Sequence, residues 1–338
     1  MMLKKIFIAL IVILLILVVV GFLLPSKVHV ERTTTVNAPA ATLYALTNGF
    51  RGFNRWSPWH ERDPNAQYSF EGPETGVGAK MSWTSDVPEV GNGSQEIVSS
   101  QPNKRVDAHL DFGDQGTAES FFTYETQGDQ TKVTWGFDTD LGSNLIARYM
   151  GLMFDKWIGP DYEKGLNNLK QVAESMPKVD FSSLKPEILD MEPIMVAFIS
   201  AESPPDSESI STALGASYGK IIEFMQANSL QPTGMPITIN TNYGGDVFAF
   251  DAAIPVASEP VELDESSEVK FGKTPSGKSL RFIHPGPYAG MTESYGKIQA
   301  YLEVHVWETA ERSWAQYTND PGSTPEAELE THIYFPVK

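Results

Sequence analysis

From Ile6 to Leu24 the chain reads IFIALIVILLILVVVGFLL, an unbroken apolar run close to the roughly 20 residues a helix needs to cross the hydrocarbon core of a bilayer. The competing reading is a cleaved signal peptide, whose apolar region is typically ~7–15 residues long and ends in a small-x-small cleavage site. Pro25-Ser26-Lys27-Val28 follows the run and offers no such site, so length and flank together favour an uncleaved anchor over residues 1–27. Lys4 and Lys5 precede the run and, by the preference of basic residues for the cytoplasmic side, direct the rest of the chain out of the cytoplasm. Lys27 and Arg32 on the far flank weaken that asymmetry. The expected placement is a single-pass protein of the cell membrane with a periplasmic body.

After the anchor the periodicity changes. Val28 to Val36 alternates polar and apolar positions, Asn37-Ala38-Pro39-Ala40 ends that strand, and Ala41 to Leu46 begins a short helix. Beyond Phe53-Asn54-Arg55-Trp56-Ser57-Pro58-Trp59, glycine and asparagine clusters separate strand-like runs at Ala79 to Thr84, Gly93 to Ser99, Arg105 to Phe112, Thr117 to Thr126 and Thr131 to Asp138. This predicts an antiparallel meander. Past Gly142 the spacing becomes helical, with Leu145, Tyr149, Leu152, Met153, Trp157, Tyr162, Leu166, Leu169 and Val172 on one broad face, and Gly159-Pro160 is expected to kink or split that helix. One long helix on a curved sheet, here residues 28–175, encloses a volume that often stays a cavity.

Residues 176–186, with Ser182-Ser183 and two prolines, have no period and read as a linker. Residues 187–338 contain an internal repeat: Ser217-Tyr218-Gly219-Lys220-Ile221 recurs as Ser294-Tyr295-Gly296-Lys297-Ile298. Each copy sits in a strand, helix, strand, strand unit, Ile194 to Ile254 and Ser279 to Phe335. Two such units about a pseudo-dyad place their helices on one side of a shared sheet and leave a groove between them. The predicted fold class is therefore α+β: a helix-grip antiparallel sheet with a long C-terminal helix, then a pseudo-twofold duplicated domain, behind one transmembrane helix.

Charge narrows the partners. A formal net charge of −18, from 43 acidic against 25 basic residues, repels phosphate backbones, and no basic helix-turn-helix is present, so nucleic acid is not an expected partner. With no cysteine there is no disulfide, thiol nucleophile or thiolate metal site. The six histidines lack metal-ligand spacing, and neither G-x-G-x-x-G nor G-x-x-x-x-G-K-[ST] occurs, so no metal or other cofactor is expected. Ser182-Ser183-Leu184-Lys185 fits S-x-x-K, but in a linker followed by Pro186 nothing buries the lysine.

The order strand, Asn-Ala-Pro-Ala, short helix, FNRWSPW, sheet and closing helix ending YEKGLNNLKQVAES resembles the START-like polyketide cyclase/dehydrase (SRPBCC) superfamily. The resemblance implies a hydrophobic small-molecule cavity, used for catalysis in only some members. Trp56, Trp59, Trp83, Trp135 and Trp157, with Tyr44, Phe121 and Tyr149, are candidates to line it, against the alternative that aromatics at this spacing are core. HPGPYAGMTESYGKIQAYL, WAQYTNDPGSTPEAELETHIYFPV and FDAAIPV resemble the GyrI-like small-molecule-binding family, also found as effector-binding domains of some multidrug-responsive bacterial regulators.

That second resemblance implies an aromatic-walled pocket, for which Trp314, Tyr317 and Tyr288 are candidates, with Tyr218 and Tyr295 of the repeat either joining them or packing helix on sheet. The family commonly carries a glutamate two residues before the tyrosine of its Y-x-N-D-P segment; here that position is Ala315, which supplies neither a general base nor a counter-charge. The expected function is thus a non-enzymatic, membrane-anchored binder or sensor of hydrophobic small molecules. The alternatives are a hydrolase or cyclase on such molecules, using Glu293 or Asp320, and an envelope regulator acting through an unidentified protein partner.

Overall fold

The computed structural model describes residues 2–242, 246–258, 266–310 and 312–338. They form two compact units, one running to Asp180 with Glu303–Val306, the other comprising Phe181–Leu302 and Trp307–Lys338.

The first unit begins with α1 (Met2–Leu23), whose side chains from Ile6 to Leu23 are exposed at nearly every position. Then come β1 (Lys27–Val36), α2 (Ala40–Thr47), α3 (Pro58–Arg62), β2 (Gln67–Glu71), β3 (Lys80–Thr84), β4 (Gly93–Gln101), β5 (Arg105–Asp111), β6 (Thr117–Gln127) and β7 (Gln130–Asp140). The strands make one antiparallel sheet of seven in the order β1-β7-β6-β5-β4-β3-β2. β2 was not expected, because as an edge strand it is exposed at almost every position and carries no alternation. α4 (Leu145–Gly151) and α5 (Phe154–Ser175) follow. Asn144 starts α4, its Oδ1 accepting from the Ala147 amide at 3.1 Å.

The expected break at Gly159-Pro160 is not where the helix divides. α5 runs through both residues, and the division falls at Leu152–Met153. Two local facts explain this. Pro160 and Lys156 are exposed, so the Lys156 carbonyl that Pro160 cannot bond faces water. On the buried side, the absent Gly159 side chain makes room for the Arg32 guanidinium from β1, which donates to Asp155 Oδ1 at 2.9 Å and Glu163 Oε1 at 2.7 Å. Arg32 thus clasps α5 across its weakest turn.

The second unit consists of β8 (Glu187–Met191), β9 (Met195–Ser203), α6 (Ser207–Ala227), β10 (Ile237–Asn242), β11 (Phe248–Pro255), β12 (Lys270–Lys273), β13 (Gly277–Pro285), α7 (Met291–Val304), β14 (Trp314–Tyr317) and β15 (Glu330–Pro336). Its single antiparallel sheet of eight strands runs β12-β9-β11-β10-β14-β15-β13-β8. Read outward from the middle, one half is β10, β11, β9, β12 and the other β14, β15, β13, β8, which is the expected pseudo-dyad between β10 and β14. Thr238 stands opposite Ala315 at the join. The short flanking strands β8 and β12 lie outside the predicted repeat and extend it by one strand on each margin.

Candidate functional site

Helix packing decides where the second unit keeps open space. α6 lays Ile221 and Met225 on Ala197, Ile199, Phe250 and Ala252 of β9 and β11. α7 lays Tyr295, Ile298 and Leu302 on Leu280, Phe282, Ile333 and Phe335 of β13 and β15. Each helix covers the outer strands of its own half, so the helix-side face of the middle pair, β10 and β14, is roofed by neither. A cavity of about 620 Å³ lies there, within the ~300–1,000 Å³ range of small-molecule sites.

Thr238, Asn240, Ala315 and Tyr317 form its floor. A stripe down α6, Ser207, Ile210, Ser211, Leu214, Tyr218 and Ile222, forms one wall. Tyr288, Met291 and Tyr295 form the wall opposite, and Asp320 stands at one end as the only charged residue that touches the cavity among the described residues. The Asp320 carboxylate accepts from the Gly322 amide at 2.9 Å and the Ser323 hydroxyl at 3.3 Å, so it is engaged by its own turn.

The floor's hydrogen bonds have a direction. The Tyr218 hydroxyl donates to the Ile237 carbonyl at 2.9 Å, a group that can only accept, so toward Thr238 Oγ1, 3.1 Å away, the same oxygen accepts. Thr238 therefore spends its proton on Tyr218 and accepts from Tyr317 at 2.9 Å. The Tyr317 proton is committed to the floor, and its oxygen offers the cavity a lone pair. Burial pushes the Tyr317 hydroxyl up to about 12 and raises Tyr218 well above the ordinary tyrosine value, keeping both protonated at neutral pH.

Because these folded-state values lie above the unfolded one near 10, the stability they contribute is present below that pH and is lost as pH rises through about 12. In an alkaline titration the phenolate absorbance of Tyr218 and Tyr317 should appear together with unfolding of the second unit. Ionisation of Tyr317 in a still-folded protein near the ordinary value would refute the floor relay.

Tyr288 meets the Tyr317 ring edge-on, 5.2 Å between centroids at 71°. Its hydroxyl is raised by burial and, secondarily, by Asp320. The loop carrying it is tied down by buried His284, whose ring contacts Ser294 Oγ at 2.8 Å and the Pro287 carbonyl at 3.1 Å.

Of the residues singled out from sequence, Tyr218, Tyr288, Tyr295 and Tyr317 line this cavity, and the two repeated tyrosines also pack helix on sheet. Trp314 does not line it. Adjacent strand residues point to opposite faces, so with Ala315 and Tyr317 toward the helices Trp314 must point away. It is 3% exposed, stacked 4.7 Å from Tyr334 and packed with Ile237, Ile239, Val196 and Phe198 on the far side of the sheet.

The hollow of the first unit differs from the expectation too. It measures about 50 Å³, room for little more than a water or two. The space is taken by aromatics. Trp135 stacks on Tyr162 at 3.9 Å, and Trp56, Trp59 and Phe122 press on Trp135 at 5.4, 5.8 and 5.1 Å. Gly165 lets α5 come down onto the Trp135 ring. Trp56 lines what is left of the hollow and at 2% exposed is part of the packed core. Trp83 sits on edge-proximal β3, its indole donating to the Val90 carbonyl at 3.3 Å, and Trp157 is 49% exposed.

Thr238, Asn240, Leu214 and Ile210 were not anticipated. The signal was available in α6, where Ile210, Leu214, Tyr218 and Ile222 recur every four residues beside a separate core stripe ending in Ile221 and Met225.

Parts of the chain are similar to solved structures. The C-terminal domain of EcmrR is similar over 46% of this chain and 98% of its own, at 18% identity and a TM-score of 0.40. A hydrolase from Listeria innocua is similar over 46% of this chain and 92% of its own, at 15% identity and a TM-score of 0.33. The Aha1 dimer from Colwellia psychrerythraea gives 44% and 97%, at 19% identity and a TM-score of 0.32. No curated protein matches the chain in sequence. Residues 27–174 match the family model described as polyketide cyclase / dehydrase and lipid transport, and residues 184–338 match that of the GyrI-like small molecule binding domain. The chain thus carries, behind an apolar N-terminal helix, a domain of the polyketide cyclase/dehydrase and lipid transport family followed by a GyrI-like small-molecule-binding domain.

Proposed function

We propose that the protein is a membrane-anchored, non-enzymatic receptor for small, neutral or weakly polar hydrophobic molecules, which it holds in the cavity between α6 and α7. The observation that carries this reading is a cavity of about 620 Å³ with apolar and aromatic walls and an alanine, Ala315, where the related family commonly has a carboxylate. Catalysis by the hydrolytic route would need a base at the floor, and Asp320 is occupied by its turn. The lone pair on Tyr317 favours a ligand with one donor group, a hydroxyl or amide N–H, on a greasy body.

Retention of α1 as an anchor draws support from its C-terminus. Arg148 donates to the Phe22 and Leu24 carbonyls at 3.0 and 3.2 Å, two of the groups a helix end leaves without intrahelical partners. A body that holds its leader in this way is built to keep it. With Lys4 and Lys5 in the cytoplasm, the two domains stand outside it.

The test is a thermal-shift screen of the full chain in lipid nanodiscs against neutral, cationic and anionic hydrophobic compounds, repeated with Leu214→Trp, which fills the cavity from the α6 wall. A ligand at 100 times its Kd adds about 2.7 kcal/mol, or roughly 5–10 °C in Tm for a unit of this size. Neutral compounds should give that shift, and Leu214→Trp should erase it without lowering the unliganded Tm. A shift that survives the substitution would remove the cavity from consideration.

A further inference from the structure

Five large apolar side chains lie open at the start of the closing helical segment of the first unit: Ile146 at 75% exposed, Met150, Leu152, Met153 and Trp157. Ile146, Met150, Met153 and Trp157 are spaced by four, three and four, so they form one stripe that continues from α4 across the division into α5. A surface stripe of this size on a water-facing domain marks an interaction site.

Its neighbour says what it meets. α4 is fastened along the end of α1: the Tyr149 hydroxyl donates to the Leu17 carbonyl at 2.6 Å, and Arg148 reaches the Phe22 and Leu24 carbonyls. Gly21 makes the approach possible, since any side chain there would meet the Tyr149 ring at 3.1 Å and Leu145 at 3.3 Å. Leu17 is six residues before the end of α1 at Leu23, about 9 Å down the axis at ~1.5 Å per residue. α4 therefore runs beside the last turns of α1 and not beyond them. Wherever α1 leaves the bilayer, α4 is at the depth of the headgroup and upper acyl region, where helices of this kind bury one face ~5–10 Å deep.

We propose that Ile146, Met150, Leu152, Met153 and Trp157 form a second membrane contact, seated in the outer interfacial layer of the same bilayer that α1 spans. The inference rests on α1 remaining as an anchor. The occupant is lipid because the stripe continues the lipid-compatible surface of α1, to which hydrogen bonds hold it. Trp157 and Tyr149 are the aromatic types that favour this layer. The contact adds a second point of attachment beside α1 and so fixes the tilt of the first domain on the membrane.

The chain has no cysteine, so single-cysteine variants of the full protein report cleanly. Ile146→Cys, Leu152→Cys, Val12→Cys within α1 and Asp129→Cys in the β6–β7 turn are each labelled with an environment-sensitive fluorophore. They are reconstituted into vesicles of phosphatidylcholine and phosphatidylglycerol containing doxyl-labelled lipid. Asp129 is at the opposite end of β7 from Asp140, which pairs with Lys27 beside the anchor. The expected result is strong quenching and a blue shift at residues 12, 146 and 152 and neither at 129. Quenching at 12 without quenching at 146 and 152 overturns the second contact and leaves the anchor standing. No quenching at 12 overturns the anchor and the inference together.

Discussion

Trp135→Ala should destabilise the first domain by about 3–5 kcal/mol, the range for removing a large aromatic from a packed core. Trp135 is the hub of that core: it stacks on Tyr162 from α5, meets Trp56 and Trp59 edge-on, and donates its indole N–H to Ser120 Oγ at 3.0 Å. Its loss also leaves the Ser120 hydroxyl without that donor. Urea unfolding followed by the fluorescence of the remaining tryptophans measures the change as a lower midpoint for the first transition. If the midpoint barely moves and the variant acquires affinity for hydrophobic compounds, the first domain's hollow is a ligand site that Trp135 merely plugs. The packed-core account would then be wrong.

Ala315→Glu should change which compounds the second domain prefers. The new carboxyl would stand on the cavity floor opposite Thr238, among apolar walls, where burial raises its pKa and holds it neutral until a cation arrives. A charge-assisted hydrogen bond is worth roughly 1.5–3 kcal/mol, so cationic hydrophobic compounds should gain on the order of 10- to 100-fold in affinity while neutral ones lose. Their binding should strengthen as pH rises through the raised carboxyl value. The unliganded variant should do the reverse, most stable with the carboxyl protonated and weaker as it ionises. Ala315→Gln, similar in size and uncharged, should give no gain for cations. An equal gain with glutamine would mean that shape and not charge selects the ligand.

The order of elements was legible because both domains obey simple periods. β1, β5, β6 and β7 alternate, and α6 and α7 repeat the same Ser-Tyr-Gly-Lys-Ile segment. What escaped the sequence was set by relations between elements. β2, β8 and β12 are short strands near sheet margins whose formation depends on a neighbour's hydrogen bonds more than on their own side chains. The first domain's cavity was expected from the architecture, but its volume depends on how five rings interlock, which no spacing encodes.

Trp314 is a different case, because the information was present. Once Tyr317 is assigned to the pocket, a period of two sends Ala315 with it and Trp314 to the other face. Parity along β14, and not the size of the aromatic, decides which face of the sheet Trp314 occupies.

The duplication in the second domain reaches beyond its symmetry. A pocket formed on the axis of a homodimer has two walls written by one stretch of sequence, so every substitution is made twice and the pocket can change only in matched pairs. Here Tyr218 and Tyr295 occupy equivalent places in the repeat but are separate codons, and they already differ: one hydroxyl is bonded to Ile237 and Thr238, the other to the Asn240 amide. Fusion of the halves frees each wall to drift alone. A lineage carrying this domain can acquire a handed binding site one residue at a time, keeping the opposite wall as a working scaffold while the first is remade.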